Sequence, residues 1–397
     1  MDIKLSARVQ RVKPSPTLAV TARAAKLRAA GKDVIGLGAG EPDFDTPEHI
    51  KAAAVEALRQ GKTKYTPVDG IPSLKQAVAD KFKRDNGLEY HLDQILVSVG
   101  GKQSFFNMSM ALLEEGDEVV IPAPYWVSYP DMVLLADATP VIVAAGIDQR
   151  YKITPEQLDA AITPRTKLVV INSPSNPSGM AYTRAEFEQL GEVLRRHPHT
   201  LIATDDMYEH ILWSEEPFSN IVMVCPDLYD RTMVLNGVSK AYSMTGWRIG
   251  YAGGPAALIK AMKKVQSQST SNPTSISQAA AQAALEGDQS CVAEMLKAFK
   301  QRHDFVYSTL KDMPGVKAIP ADGTFYAFAD FSQVIEAMPG IENDIQFAEH
   351  LLIEGGVAVV PGSAFGTEGC ERLSFATSME NLEKALGRIA GVLNKLA

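Results

Sequence analysis

Short runs of β-branched and aliphatic residues alternate with helix-like stretches along most of the chain. Several runs are almost entirely apolar, as in Leu168-Val169-Val170-Ile171. Strands of this kind are covered on both faces, as they are in parallel sheets. The alternation therefore predicts an α/β fold with a mostly parallel sheet. The predicted strands are residues 33–37, 94–99, 118–121, 140–143, 167–171, 200–204, 232–235 and 248–252.

The helices between these strands have recognisable N-terminal signals. Two segments, Thr154-Pro155-Glu156-Gln157 and Thr183-Arg184-Ala185-Glu186, match the capping box, in which a hydroxyl residue is followed three positions later by Glu or Gln. A third signal, Thr46-Pro47, predicts the N-cap and first turn of a helix that runs to Gly61.

The pattern changes after about residue 290 of this 397-residue chain, which is too long for one simple core. A long helix is predicted over residues 291–311. It is followed by strands at 317–319, 324–331, 357–360 and 372–375 and by helices at 344–354 and 381–395. We therefore predict a large domain over residues 48–290 and a smaller α+β domain formed by residues 1–47 with 291–397.

Composition and charge argue against several classes of protein. The formal charge of −8 and the lack of a dense Lys/Arg block argue against nucleic acid as the partner. The three cysteines are far apart and none lies in a CxxC motif, which argues against a disulfide framework or a structural zinc site. No run approaches the ~18 apolar residues of a membrane span, and the N-terminus lacks the apolar region of a signal peptide. We expect a reduced, cytoplasmic protein without a metal.

The segment Val99-Gly100-Gly101-Lys102 follows a predicted strand and begins a predicted helix over residues 103–113. Such a turn directs free backbone N–H groups and the positive helix end toward an anion, and glycine permits a close approach. The motif is equally consistent with a tight connection. The usual nucleotide signatures are incomplete, because Glu41 replaces the third glycine of GxGxxG and Glu56 replaces the first glycine of a P-loop.

Polar segments follow two buried strands, at the ends where open α/β sheets bind ligands. The segment Asn172-Ser-Pro-Ser-Asn176-Pro-Ser-Gly179 follows one strand, and Thr204-Asp205-Asp206-Met207-Tyr208 ends the next. A carboxylate placed there costs desolvation unless a cation lies beside it. The two segments are also consistent with an ordinary loop and with a helix N-cap.

The densest motif is Ser239-Lys240-Ala-Tyr-Ser-Met-Thr-Gly-Trp-Arg248-Ile-Gly250, which follows the strand predicted at 232–235. A buried lysine loses its proton readily and becomes the nucleophile that Schiff-base chemistry requires. Arg248 is suited to hold a phosphate through two hydrogen bonds. The alternative is a surface lysine beside a loop.

Together these motifs resemble the fold-type I, class I aminotransferases, which use pyridoxal 5'-phosphate. The chain is most similar to aspartate aminotransferases of subgroup Ib, and within these to bacterial enzymes that also use prephenate. The matching blocks span Gly40 to Thr377 in the family's order: Gly-Glu-Pro-Asp-Phe-Asp-Thr-Pro, Ala-Pro-Tyr-Trp-Val-Ser-Tyr-Pro, Ser-Pro-Ser-Asn-Pro-Ser-Gly, Asp-x-x-Tyr, the lysine segment, and Arg-Leu-Ser-Phe-Ala-Thr.

The resemblance implies a cofactor site. Lys240 matches the lysine that forms the Schiff base and later moves the substrate's Cα proton. Asp205, rather than Asp206, matches the carboxylate that keeps the cofactor's ring nitrogen protonated. The other implied cofactor contacts are Gly100, Gly101, Lys102, Trp126, Asn176, Tyr208, Ser239, Arg248 and, from the second subunit of a homodimer, Tyr65.

The resemblance also implies a substrate site. Arg372 matches the arginine that grips the substrate α-carboxylate, and Gly40, Trp126 and Asn176 match further substrate contacts. Gly237 replaces the serine usually found three positions before the lysine. No partner-chain arginine for the distal carboxylate is evident near Ser271-Asn272-Pro273, and in the similar subgroup a lysine at the Lys102 position takes that role. A lysine in the context of Lys13-Pro14-Ser15 is linked to prephenate use.

The resemblance thus implies an enzyme that moves an amino group between aspartate or glutamate and 2-oxo acids such as oxaloacetate and 2-oxoglutarate, with prephenate as a further acceptor. One alternative is a β-lyase on the same fold, which would release pyruvate and ammonia without a 2-oxo acid. A second is a non-catalytic regulator, which would usually carry an added DNA-binding segment and which the acidic charge disfavours.

Overall fold

The computed structural model describes residues 3–14 and 16–395. Its strands are β1 (Ile35–Gly36), β2 (Ile95–Ser98), β3 (Glu118–Ala123), β4 (Thr139–Ala144), β5 (Thr166–Asn172), β6 (Leu201–Asp205), β7 (Thr232–Gly237), β8 (Gly250–Gly253), β9 (Tyr326–Asp330), β10 (Val357–Ala358), β11 (Val360–Pro361) and β12 (Cys370–Ser374). Its α-helices are α1 (Ala7–Gln10), α2 (Pro16–Ala29), α3 (Glu48–Arg59), α4 (Pro72–Asn86), α5 (Gly101–Leu112), α6 (Ser128–Leu135), α7 (Pro155–Ala161), α8 (Arg184–Arg196), α9 (Ile221–Val224), α10 (Ala256–Ser267), α11 (Ser275–Glu286), α12 (Ser290–Lys311), α13 (Ser332–Ala337), α14 (Asp344–Glu354) and α15 (Met379–Leu393).

The main sheet has seven strands in the order β2-β8-β7-β6-β5-β3-β4. Its neighbouring strands are parallel except at β8, which is antiparallel to both β2 and β7. Alternate residues of β5 enter two different apolar clusters, Val169 and Ile171 on one face and Leu168 and Val170 on the other. Both faces are therefore covered, and the predicted mostly parallel α/β sheet is confirmed.

Two small sheets are built from the chain ends. Strand β1 pairs in parallel with β10, and β12 lies between β11 and β9, antiparallel to both. These strands and α12 surround a separate aromatic cluster that includes Phe299, Phe325, Phe331 and Phe347. Helix α2 contacts β1, β10 and β11, whereas α1 contacts α6 beside the main sheet. The division into residues 48–290 and residues 1–47 with 291–397 stays a prediction.

Most predicted elements are present with small shifts at their ends, and both capping boxes are confirmed. Residues 317–319 form only an isolated bridge from Lys317 to Asp330, so the strand predicted there is wrong. The strand predicted at 357–360 is two strands with different partners, β10 and β11. Strand β8 begins only at Gly250, because Arg248 has a φ of 58°, outside the extended range.

The N-cap prediction for α3 is also wrong. Pro47 occupies the cap position and α3 ends at Arg59. The Thr46 hydroxyl donates to the Ser243 carbonyl oxygen at 2.7 Å and accepts from the Trp247 indole N–H at 3.0 Å. The Thr46 hydroxyl therefore bonds to the segment that contains Lys240 and does not cap α3, contrary to the prediction from the local sequence.

Within the two described ranges of the chain, no helix is long and apolar enough to cross a membrane.

Two fully buried carboxyl groups lie near each other in β12 and α14. Neither carboxyl oxygen of Glu371 has a hydrogen-bond partner among the residues the structure describes. One oxygen of Asp344 accepts from the Ser363 backbone N–H at 2.6 Å. Burial, and then the charge of Asp344, raises the pKa of Glu371 well above its ordinary value.

We expect Glu371→Gln to stabilise the protein at neutral and alkaline pH. A carboxyl whose pKa is raised by folding favours folding only below its unfolded pKa, of about 4.3, and loses that contribution as the pH rises. The melting temperature of the Glu371→Gln variant should therefore exceed that of the wild type by a margin that grows from pH 5 to pH 8. Glu294→Gln, at an exposed position in α12, is the matched control. A margin independent of pH would contradict the prediction.

Candidate active site

A cavity of about 400 Å³ lies where β5, β6 and β7 end. The fold brings together residues from motifs that are distant in the sequence. The predicted site residues that line this cavity are Gly40, Gly101, Lys102, Trp126, Asn176, Asp205, Tyr208, Ser239, Lys240, Arg248 and Arg372.

Three predicted site residues do not line the cavity. Gly100 lies behind Arg248 with a φ of 82°, and a Cβ atom there would be 2.3 Å from Nη2 of Arg248. Tyr65 is 92% exposed in the connection between α3 and α4. Lys13 is exposed and lies near the carboxylate of Asp131 in α6.

The Lys240 side chain enters the cavity from the loop after β7. Its Nζ donates to the Gly40 carbonyl oxygen at 2.5 Å. Removal from water lowers the pKa of Lys240 to about 8, with Arg248 and Arg372 acting in the same direction and Glu41 and Asp205 opposing them. An amine with this pKa is partly unprotonated near neutral pH, as a nucleophile or a base must be.

Asp205 and Asp206 have different surroundings at the end of β6. Asp205 lines the cavity, and its carboxylate accepts from the Tyr129 hydroxyl at 2.5 Å. Asp206 is fully buried, and its carboxylate accepts from the Thr204 hydroxyl and the Asn220 amide, both at 2.6 Å. Burial raises the pKa of Asp206 to about 7. Asp205 is therefore the carboxylate placed to meet a ligand.

Arg372 is held from three sides and is 2% exposed. Its guanidinium carbon lies 4.5 Å from the ring centroid of Tyr326 and 4.9 Å from that of Phe365. One terminal nitrogen donates to Asn176 Oδ1 at 2.9 Å and the other to the Gly38 carbonyl oxygen at 2.8 Å, while Nε is buried without a partner in the described structure. A fixed guanidinium with a free donor is suited to bind a carboxylate.

The part of the cavity lining formed by α5 is also positively charged. Lys102 Nζ donates to the Ser128 hydroxyl at 3.0 Å and lies 5.0 Å from the centroid of the Trp126 ring. Burial, and then the nearby Arg248, lowers the pKa of Lys102. Gly101, the first residue of α5, lines the same wall. Among the described residues that line the cavity, four are cations and one is a carboxylate, so the cavity favours anionic ligands.

The structure shows a physical reason for Gly237, which stands where the aspartate aminotransferase pattern usually has a serine, and it shows where Ser239 lies. A Cβ atom at Gly237 would lie 3.1 Å from both the Gly250 Cα atom and the Ile249 carbonyl oxygen of the neighbouring segment. A serine there would require a shift of that segment. Ser239 is buried and lines the cavity, so its hydroxyl is available to the site where the usual serine is absent.

Five further residues, which were not predicted as site residues, also line the cavity: Thr17, Val127, Asn172, Met207 and Tyr326. Asn172 belonged to a motif already identified, and its amide holds the Asp205 carbonyl oxygen at 2.9 Å. The Tyr326 hydroxyl lies 2.9 Å from that of Tyr208, and its ring lies against Arg372. The sequence signal for Tyr326 was only its place in a predicted strand.

The chain matches the family described as aminotransferase class I and II over residues 32–389. It is 60% identical to the aspartate/prephenate aminotransferase of Nitrosomonas europaea, covering 99% of this chain and 100% of that protein. Its structure is similar to the crystal structure of the aspartate aminotransferase from Rhizobium meliloti, with a TM-score of 0.96, 49% identity and full coverage of both chains. It is also similar to Thermus thermophilus aspartate aminotransferase with maleate, with a TM-score of 0.92, 45% identity, and 98% of this chain and 100% of that chain covered. The chain therefore belongs to the class I and II aminotransferases.

Proposed function

We propose that this aminotransferase exchanges amino groups between aspartate or glutamate and 2-oxo acids, with prephenate among its acceptors. The names of the relatives support this choice of substrates. The structural observation that carries it is that two cationic residues, Arg372 and Lys102, line one cavity. Two such groups suit a substrate that has two carboxylates.

The cavity also fits pyridoxal 5'-phosphate, the cofactor that the family generally uses. The α5 N-terminus and Arg248 form an anion cradle in which a side chain at Gly100 would collide with the arginine. Lys240 and Asp205 line the same cavity, as an amine and a carboxylate for the two ends of the cofactor ring. When bound, this cofactor supplies a protonated ring that takes up the electron pair released at the substrate Cα.

In this proposal the chain's own residues bind the substrate and move its proton. Arg372 and Asn176 orient the α-carboxylate together with the Gly40 backbone, and Lys240 takes the proton from Cα. Lys102 meets the second carboxylate of a short acid. The residues that hold the cofactor are Gly100, Gly101, Lys102, Trp126, Asn176, Asp205, Tyr208, Ser239 and Arg248.

We further propose a homodimer in which Tyr65 of one subunit reaches the cofactor phosphate in the other. The support is that Tyr65 is almost fully exposed, away from the cavity of its own chain. A large aromatic side chain that is exposed in this way is typical of a residue that a partner subunit covers.

The cytoplasmic location expected from the sequence stays a prediction.

A panel of amino donors against 2-oxo acids tests the substrate assignment. Aspartate with 2-oxoglutarate, and glutamate with oxaloacetate or prephenate, should give the highest kcat/KM values. Release of pyruvate and ammonia without any 2-oxo acid would instead indicate a β-lyase.

Substitution of Lys13 tests whether this residue determines the use of prephenate. We expect Lys13→Ala to lower kcat/KM for prephenate several-fold, with a smaller loss for oxaloacetate. The second carboxylate of prephenate lies on a bulky ring, one carbon farther from the α-carbon than that of oxaloacetate. The resemblance places the Lys13 segment over the cavity mouth, where its charge would meet this carboxylate better than a charge on the cofactor wall. An exposed charge pair is worth roughly 1 kcal/mol, and more when closure removes water. Lys26→Ala, at an exposed position in α2, is the control, and equal losses for both acceptors would exclude Lys13 as a specificity residue.

A further inference from the structure

Two arginines from the N-terminal part of the chain converge on one carboxylate. Arg8 and Arg11 donate to different oxygens of Asp137, which lies just after α6. Farther along, Lys13 lies near the carboxylate of Asp131, within α6. Residues 3–14, which we call the N-terminal arm, are thus attached to the C-terminal end of α6 by two ion pairs, in addition to the packing of α1 on α6.

The backbone at Asp137 is unusual for a residue with a side chain. Its φ is 63°, in the left-handed region where glycine is the default. Asp and Asn tolerate this conformation better than other non-glycine residues do. The turn alone does not require a carboxylate, and the two arginines are what the carboxylate contacts. The hydrogen bonds from Arg11 and Arg8, together with their charges, lower the pKa of Asp137, and its carboxylate is ionised at neutral pH.

Helix α6 links the arm to the cavity wall. Ser128 accepts from Lys102, and Tyr129 donates to Asp205. Beyond the arm, the chain enters α2, where Thr17 lines the cavity. Along the chain, Lys13 therefore lies between Arg11, which contacts Asp137, and Thr17, which lines the cavity.

We propose that Asp137 is a positioning residue for substrate choice, which fixes the N-terminal arm so that Lys13 and Thr17 meet the distal carboxylate of a bulky dicarboxylic 2-oxo acid. The proposal rests on the function proposed above. Positioning matters because a charge on an untethered segment loses its favourable interaction to conformational entropy. A short acid, whose second carboxylate lies near Lys102, depends less on the arm.

The variant Asp137→Asn tests this proposal. Asparagine tolerates the left-handed backbone conformation, so the substitution removes the negative charge without straining the turn. We expect kcat/KM for prephenate to fall several-fold and that for oxaloacetate to change little. Trypsin should cleave the Asp137→Asn holoenzyme faster after Arg8 and Arg11, as measured by mass spectrometry. Asp227→Asn, which breaks the similarly exposed pair of Asp227 with Arg195, is the control and should leave both measurements unchanged.

The salt dependence of substrate choice gives a second test of the proposal, independent of trypsin cleavage. The Asp137 side chain is 32% exposed and those of Arg8 and Arg11 are 50% and 42% exposed, so added salt should weaken the attachment. The prephenate-to-oxaloacetate ratio of kcat/KM should fall with NaCl in the wild type and stay nearly constant in Asp137→Asn. At low salt, an Asp137→Asn ratio equal to that of the wild type, or trypsin cleavage as slow as in the wild type, overturns the proposal while leaving the proposed function intact. A wild-type enzyme that does not use prephenate overturns the prephenate assignment and this inference with it.

Discussion

Lys240→Ala is expected to lose turnover by several orders of magnitude while the protein still folds. Alanine removes both the amine that attaches the cofactor and the base that moves the Cα proton, and general base catalysis alone contributes roughly 10²–10⁴-fold. The Lys240 amine makes one hydrogen bond, to the Gly40 carbonyl oxygen, so its loss leaves little of the fold unsupported. The measurement is single-turnover kinetics with saturating pyridoxal 5'-phosphate and aspartate.

Lys102→Ala is the matched control for that experiment. Its side chain lines the same cavity, but its Nζ donates to the Ser128 hydroxyl and not to Gly40. We expect Lys102→Ala to raise KM for dicarboxylic substrates more than it lowers kcat. If Lys240→Ala retained near-normal single-turnover rates, the base would have to be another residue.

Asp205→Ala is expected to reduce kcat by roughly 10²-fold or more, because a preorganised charge at a reacting group contributes about that much. The same change at Asp206 should affect stability instead. It leaves the Thr204 hydroxyl and the Asn220 amide without their acceptor, which costs about 1–3 kcal/mol per buried group. Steady-state kinetics and thermal unfolding of both variants separate the two effects. Equal losses of kcat, or a larger loss at Asp206, would show that the register is wrong by one residue.

The parts of the fold that sequence predicts well are those decided by local pattern. Leu168 to Ile171 is apolar throughout because both faces of β5 are covered, and the run carries that information by itself. The Thr154 and Thr183 capping boxes are equally local, since each is completed within four residues. Thr46 shows the limit of prediction from local sequence. Its hydroxyl bonds to Ser243 and Trp247, which lie about 200 positions away, and therefore does not cap α3.

The site divides in the same way. Resemblance located Lys240, Asp205 and Arg372 because each lies in a motif of several residues, and all three line one cavity. Tyr326 has no such motif, and its role follows only from contacts with Tyr208 and Arg372 that the tertiary fold creates. The contact of Arg8 with Asp137, across 129 positions, is likewise invisible in the linear pattern of charges.

The most direct test of the account is to find which lysine holds the cofactor. Reduction of the holoenzyme with borohydride fixes pyridoxal 5'-phosphate to the lysine to which it is covalently bound, and peptide mapping by mass spectrometry then identifies that lysine. We predict a single modified residue, Lys240, in the peptide that follows β7. Modification of Lys102 or of any lysine outside the cavity, with Lys240 unmodified, would contradict the assignment of the active site.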